Sequence, residues 1–572
     1  MLSVLMNWIY IAATTFLTGY AVCAFVYRTV GYRVKDICCM MALGLLAVTV
    51  YAQVFSLFYR VGAAANLVLA AVCFVTAVVG RHQIAGLLAA GWKRKGIAWK
   101  MAAAASVVVW CYCTSRGYMH YDSDLYHAQS IRWIEEYGIV KGLGNIHVRF
   151  AYNSSFFALS ALYSMKFLTG HSLHAVNGFV ALLLWMQVLP LFSMKRRVEK
   201  GKTVVTDFAR LGAFYYLTVI YSDIVSPASD YAIMCVVFFV IIRWLELLER
   251  KEDNAAPYAL LCVAGVYAVT LKLTAGLILI LLAKPASMLI REKRWRDIGI
   301  YLMMGVVTIV PWLARSVFLS GYLLYPFPAL DLFDVDWKIN AAAAALDAAE
   351  IRTWGRGLNN AALVDLPITQ WFPGWFQGSL PVIGKFLILA DLVCVPVFVI
   401  LAAKLLCRIC SGGRKEQLLV LATVLASYGF WQVSAPLLRY GYAYVLLVVM
   451  ITAGILCDIM IKYFDKWQKK DMIRKIAVLG MSVLWAFSAV KLVSLVRYCY
   501  GEAGKQTYVW QQDYGNYGLE RYVVNNVTFF YPVDGDRTGY RCFPAVPGQV
   551  PIQFRGEKLA EGFCATEENR ES

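Results

Sequence analysis

Runs of about 20 apolar residues recur along the whole chain, and that repetition restricts the fold more than any other feature. A stretch of this length crosses the hydrocarbon core of a bilayer as an α-helix, because a helix satisfies its own backbone polar groups there. The length rule gives about fourteen such stretches. They lie near residues 5–27, 37–59, 61–80, 97–112, 172–194, 208–221, 228–247, 256–270, 273–290, 298–318, 380–405, 417–433, 438–460 and 473–496. The two within 256–290 are short and flank Lys272, which suits either two crossings or one broken hairpin. Of the 572 residues, 60% are apolar and 16% charged, where soluble proteins carry about a quarter charged. A string of soluble domains is therefore disfavoured, and the expected fold is an all-α polytopic membrane protein in contact with the lipid bilayer.

Lys and Arg total 54 against 36 acids, a formal charge of +18. In a soluble protein that excess would raise nucleic-acid binding; here the bases fall in short segments between apolar runs, and no nucleic-acid partner is expected. Arg28, Arg33 and Lys35 follow the first run, Arg81 and Lys93 the third, Lys195 and Arg196 the fifth, Arg250 and Lys251 the seventh. Arg291 and Lys293 follow the ninth, Arg408 and Arg414 the eleventh, Lys466 and Lys469 the thirteenth. Every odd-numbered run thus leaves into a basic loop, which the positive-inside rule assigns to the cytoplasm. Both termini are then extracytoplasmic, in a multi-pass protein of the plasma membrane. The absence of Lys or Arg before Arg28 argues against a cleaved signal peptide. Most of the 15 cysteines fall inside apolar runs, where Cys is a small hydrophobe. Cys407 and Cys410 have the spacing of half a zinc site but no second ligand pair.

Three external segments are long: 117–171, 319–379 and the tail 497–572. Within the second, the stretch 341–345 reads as a short helix broken at Gly355 and Gly357. The tail sets turn formers (Asp534-Gly535, Pro547-Gly548, Arg555-Gly556) between β-prone pieces such as 522–531, and reads as a small β-rich lobe. Cys542 and Cys564 lie in this lobe, either paired or not. Asn153-Ser154-Ser155 and Asn526-Val527-Thr528 are outward-facing sequons.

Charges near the membrane need solvation, a partner or a cavity. The first external segment opens Asp122-Ser123-Asp124-Leu125-Tyr126-His127, with Asp122 or Ser123 as N-cap of a helix running to Tyr137 and Gly138 as its stop. Either these acids only complement the helix dipole or they face a cavity between spans. Asp223 and Asp230 flank an external turn, Lys272 interrupts an apolar stretch, Arg315 follows Pro311-Trp312, and Arg439 follows Pro436. All lie on the side of Asp122. Snorkelling to the interface explains each base singly. A shared outward-facing cavity explains them together, and its acids and bases would suit a substrate with a hydroxyl to deprotonate and a phosphate to bind.

These motifs resemble the GT-C superfamily of integral-membrane glycosyltransferases, whose sugar donors are polyprenyl-phosphate-linked. Asp122-Ser123-Asp124-Leu125-Tyr126 is similar to the acidic motif and aromatic of the superfamily's first large external loop, and 128–138 to the helix that follows. Pro311-Trp312, Arg315, Gly321 and Tyr325-Pro326 resemble a stretch of bacterial members entering a long external loop, and 435–440 another late element. The resemblance covers roughly residues 97–460. Because three spans precede the matching loop, residues 1–96 read as an added N-terminal module, 97–496 as the GT-C-like core and 497–572 as the external lobe.

The resemblance implies inverting transfer of a sugar to a glycan, lipid or protein acceptor at the outer face. Asp122 or Asp124 would be the catalytic base, the distance to Tyr126 favouring Asp122. Lys272, Arg315 and Arg439 would bind the donor phosphate, Asp230 would position the sugar, and Tyr126 and Tyr325 would line the site. His127 either contacts substrate or only satisfies the loop. No cofactor is required; the Asp-x-Asp spacing offers hard ligands to Mg²⁺ or Mn²⁺ but no evident third. Two other activities fit the same residues: a lipid-linked glycan polymerase or ligase, and a transporter or flippase for a lipid-linked or anionic substrate.

Overall fold

The computed structural model describes residues 1–93, 95–193, 204–406, 414–466 and 508–566, with scattered positions between 479 and 501. Among the described residues, ten helices are long and apolar enough to cross a membrane. They are Leu2–Val30, Ile37–Phe58, Ala63–Lys93, Ile97–Ser115, Ser229–Glu249, Leu273–Arg291, Trp295–Ser320, Val382–Lys404, Lys415–Ser434 and Leu438–Met460. The chain is therefore a mostly helical, multi-pass membrane protein. Phe74, Val75 and Val79 on the third helix and Phe386, Val393 and Ile400 on the eighth point outward. Such apolar faces are anomalous in water and expected in lipid.

Three expected spans are helices shorter than a full crossing. The fifth and eighth runs are the shorter apolar helices Val176–Leu191 and Ala255–Leu271, and the sixth is the 16-residue helix Val205–Ile220. Sixteen residues rise about 24 Å, less than the roughly 30 Å hydrocarbon core. Neighbours shield these short pieces: Ala213, Leu217 and Ile220 are buried, as are Tyr258, Ala268 and Leu271. Half of the run 473–496 and both Cys407 and Cys410 fall outside the described residues. At Lys272 the helix Ala255–Leu271 ends in an extended residue, φ −160° and ψ 131°. The chain then continues as a 3₁₀ stretch, Leu273–Leu282, and helix Ala283–Arg291.

The first two helices cross at paired glycines. A Cβ on Gly19 would stand 1.9 Å from the Met40 carbonyl oxygen, and one on Gly44 would stand 1.7 Å from that of Thr15. Only hydrogen fits between these backbones. These helices are built into the rest: Asn7 donates to the Tyr163 carbonyl at 2.7 Å and Trp8 to that of Ala175 at 2.9 Å. One continuous buried core runs from Val4 to Ile455.

The tail forms two small antiparallel sheets among its described residues. Leu519–Val524 pairs with Val527–Pro532, Val524 opposite Val527. The single β-prone piece expected at 522–531 is thus two strands. The break falls at Asn525 and Asn526, whose φ values of 49° and 61° make the two-residue turn that matches strand twist. Gln553–Phe554 pairs with Phe563–Cys564. The Cys564 thiol faces Asp336, and no disulfide joins it to Cys542. In the segment 319–379, helix Ala341–Gly355 ends at the expected glycine, and Gly357 follows with φ 71°.

Candidate functional site

The segment after helix Ile97–Ser115 is held by the turn that precedes helix Ser229–Glu249. Tyr118 N–H donates to the Ser222 carbonyl at 2.7 Å and His120 N–H to Ser226 Oγ at 2.7 Å. Gly117 permits the approach, since a Cβ there would lie 2.2 Å from the Ser222 oxygen. The chain next makes one π-helical turn, Ser123–His127, before helix Ala128–Tyr137, which stops at Gly138 with φ 78°. Asp122 precedes the turn but its side chain caps nothing, contrary to the capping role considered for it. It reaches across the bundle instead.

Arg439 is what it reaches. Arg439 Nη2 lies 2.7 Å from Asp122 Oδ2, and Nε 3.4 Å from Asp230 Oδ2. Lys272 Nζ stands 2.5 Å from Asp230 Oδ1 and 3.2 Å from the centre of the Tyr440 ring. A cation in the first turn of helix Leu438–Lys466 opposes the helix dipole, whereas Asp230 in the first turn of Ser229–Glu249 agrees with its own. The two carboxylates offset the unfavourable placement of Arg439. Residues from four separated segments thus meet in one charged cluster.

His120 is a member that sequence reasoning missed. Arg439 Nη1 bonds its Nε2. The other ring nitrogen, Nδ1, accepts from the Asp122 N–H at 3.1 Å and lies 3.7 Å from Asp122 Oδ2, so the ring is wedged between Arg439 and the backbone and carboxylate of Asp122. Burial, reinforced by Arg439, lowers the His120 pKa and keeps the ring neutral. For Asp122 burial works against the charge, but the Arg439 guanidinium outweighs it and its pKa is lowered. Asp230 Oδ1 is bonded to Lys272 and its Oδ2 has only the ion-pair contact to Arg439, while Asp122 Oδ1 has no partner among the described residues.

Asp124 faces elsewhere. Its carboxylate accepts from Gly515 N–H at 2.9 Å and Tyr517 hydroxyl at 2.8 Å, and its carbonyl from the N–H groups of Thr538 and Gly539. It fastens the tail lobe to the first loop. Burial raises its pKa, moderated by Tyr517 and Gly515. Gln129 adds to the clasp, donating to the carbonyls of Gly539 and Cys542 at 2.9 Å each. These partners lie about 400 residues downstream, beyond any local signal.

Arg315 also stands outside the cluster's contacts: it is buried and donates to Ser56 Oγ, while its Nε has no partner among the described residues. His127 is buried against Ser123 Oγ at 3.3 Å and the Tyr126 and Phe157 rings, and burial drives its pKa down to about 3. It satisfies the loop. Tyr126 borders the cluster; burial first, then the charges of Asp122 and its neighbours, keep its hydroxyl protonated. Its ring leads to Tyr152 at 5.5 Å and from there to Tyr325 at 6.2 Å. Tyr152 donates to Asp347 Oδ1 at 2.7 Å, and burial raises the Asp347 pKa to about 6. Arg149, half-buried over the Trp354 ring, has no carboxylate partner among the described residues. A metal on the Asp-x-Asp pair does not fit this geometry, because the carboxylates diverge and Asp124 is fully engaged. Among the described residues no three His, Cys, Asp or Glu gather as a ligand set.

Fold and cluster together define a polytopic helical membrane protein with an ion-paired centre at one end of its bundle, beside a strand-bearing lobe. Residues 1–446 match the family model described as Domain of unknown function (DUF8201), and the chain belongs to that family. The matched part holds every member of the cluster. No curated protein matches the chain, and no solved structure does.

Proposed function

We propose that the chain is a GT-C-like glycosyltransferase that moves a sugar from a polyprenyl-phosphate-linked donor to an acceptor hydroxyl at the outer face of the plasma membrane. The observation that carries this is the meeting of Asp122, Asp230, Lys272 and Arg439 at one end of the bundle. The GT-C-like motifs around Asp122, Arg315 and Arg439 support it, and the basic loops assign the opposite end to the cytoplasm.

The acceptor hydroxyl donates to Oδ1 of Asp122. As its oxygen bonds to C1 of the sugar, its proton passes to Asp122 and the bond from C1 to the phosphate oxygen breaks. The electron pair leaves on the phosphate, and attack from the opposite face inverts the anomeric centre. Arg439 and Lys272 stabilise the developing negative charge. Before the donor arrives both cations are neutralised, so its phosphate competes with Asp122 and Asp230 for them. When Arg439 turns to the phosphate, Asp122 regains basicity. Arg149 supplies a cation with no carboxylate to displace. The Tyr126–Tyr152–Tyr325 wall packs the sugar face, and the acceptor is a glycan, lipid or protein hydroxyl.

Asp122→Asn should lower sugar transfer from a labelled polyprenyl-phosphate donor by about 10²–10⁴-fold per molecule of protein in the membrane. Asp124→Asn should lower abundance instead. Full transfer activity in Asp122→Asn would remove the mechanism. One observation favours a transporter: Asp391 is buried within helix Val382–Leu406 with neither oxygen partnered among the described residues, and intramembrane acids often mark ion paths. Substrate flux into proteoliposomes without covalent product, abolished by Asp391→Asn, would select that reading.

A further inference from the structure

Far from the Asp122–Arg439 cluster, about 30 Å along helix Ser229–Glu249, lies a cavity of about 300 Å³. Its rim comes from the turn between the first two spans and the turn after Glu249. The rim carboxylates are already engaged. Asp36 accepts from Cys39 N–H at 3.0 Å as the N-cap of helix Ile37–Phe58, and Arg243 stands 3.4 Å from its other oxygen. Glu252 accepts from Asn254 N–H at 3.2 Å. Arg243 is held by Glu246 at 2.7 Å, and Arg250 lies 3.5 Å from the same carboxylate. Arg33 and Lys35 differ: both line the rim, both are exposed, and neither pairs with a carboxylate among the described residues.

Below the rim the wall turns apolar, with Leu43, Phe239, Leu260 and Leu261. A small apolar recess of about 40 Å³ adjoins it, sharing Ala42, Phe239 and Ala264 with the cavity. Uncommitted cations at the mouth and hydrocarbon beneath complement a phosphate ester that carries an acyl chain. We propose that this cavity binds one anionic phospholipid. Its phosphate accepts from Arg33 and Lys35, and the first methylenes of one acyl chain pack on Leu43, Phe239, Leu260 and Leu261. A water-soluble phosphate ester shares the headgroup chemistry but leaves the apolar wall uncovered.

The test uses the full purified chain in detergent, titrated separately with phosphatidylglycerol, phosphatidylcholine and glycerol 3-phosphate, with bound species counted by native mass spectrometry. One phosphatidylglycerol should be retained, and Arg33→Ala/Lys35→Ala should weaken its binding by about tenfold or more. Ala264→Trp, which fills the apolar part of the cavity, should also lose the lipid, while an unchanged melting temperature in detergent shows that each variant is folded. Equal retention by wild type and either variant overturns the proposal. So does phosphatidylcholine bound as tightly as phosphatidylglycerol, or glycerol 3-phosphate bound as tightly as the lipid. Sugar transfer is not involved, so the outcome is independent of the activity proposed above.

Discussion

His120 lies between a guanidinium and a carboxylate, and its neutrality couples the cluster to pH. Burial and Arg439 lower its pKa in the fold, whereas the unfolded chain keeps an imidazole value of about 6.5. As pH falls, the unfolded state takes up the proton first, so the contribution is complete above about pH 6.5 and is lost below it. Asp122, also lowered, adds a loss of the same sign once pH drops through the ordinary carboxylate range, about 4. Melting temperature should therefore decline from pH 7 to 5, and His120→Gln should reduce that slope without abolishing it, since buried His127 adds a loss of the same sign. An unaltered profile in the variant would assign the slope to other groups. Asp230 joins Lys272 to Arg439, so Asp230→Asn should destabilise the protein by about 1–3 kcal/mol. Adding Lys272→Met should recover part of the loss, giving a non-zero coupling in the double-mutant cycle; strict additivity would deny the pairing. Lys272, Asp230 and Arg439 were legible in the sequence because a charge amid apolar residues needs a partner. His120, in a polar loop, carries no such mark, and Arg315 carries the mark yet sits on Ser56.

Helices were read from apolar run length, a constraint imposed by the bilayer, and their positions followed closely. Span number was harder. Ala255–Leu271 and Val205–Ile220 are too short to cross unaided, and what makes room for them is the packing of neighbours, which local composition does not encode. The π-helical turn Ser123–His127 was likewise invisible, because periodicity at this length does not separate it from an α-helical turn. Gly19 and Gly44 were also not singled out, since a glycine's role in close approach depends on the facing helix. Gly44→Ala puts a methyl group where the Thr15 carbonyl stands, and backbone cannot rotate away as a side chain can. The variant should lower the melting temperature with a loss of about 1–3 kcal/mol. A wild-type melting curve would mean that the two helices separate at little cost.

At the scale of the molecule, the basic loops and the charged cluster occupy opposite ends of the bundle, so orientation decides which compartment the cluster meets. Cysteine placed at exposed Asp534 in the tail lobe should react with a membrane-impermeant maleimide on intact cells, and cysteine at exposed Lys251 only after permeabilisation. The reverse pattern would put the cluster in the cytoplasm and remove the proposed donor. The lobe itself was anticipated as a β-rich tail, but not its attachment, because hydrogen bonds from Asp124, Gln129 and Lys141 to residues 515–563 leave no trace in local pattern. That attachment has a temporal side. A ribosome adding about 5–20 residues per second reaches the clasp some 20–80 s after the loop has emerged. During that interval the loop's carboxylate and amide groups wait uncovered. A message cut short after the last crossing would yield a product with its crossings intact and the loop still bare, which quality-control proteases of the envelope are suited to remove.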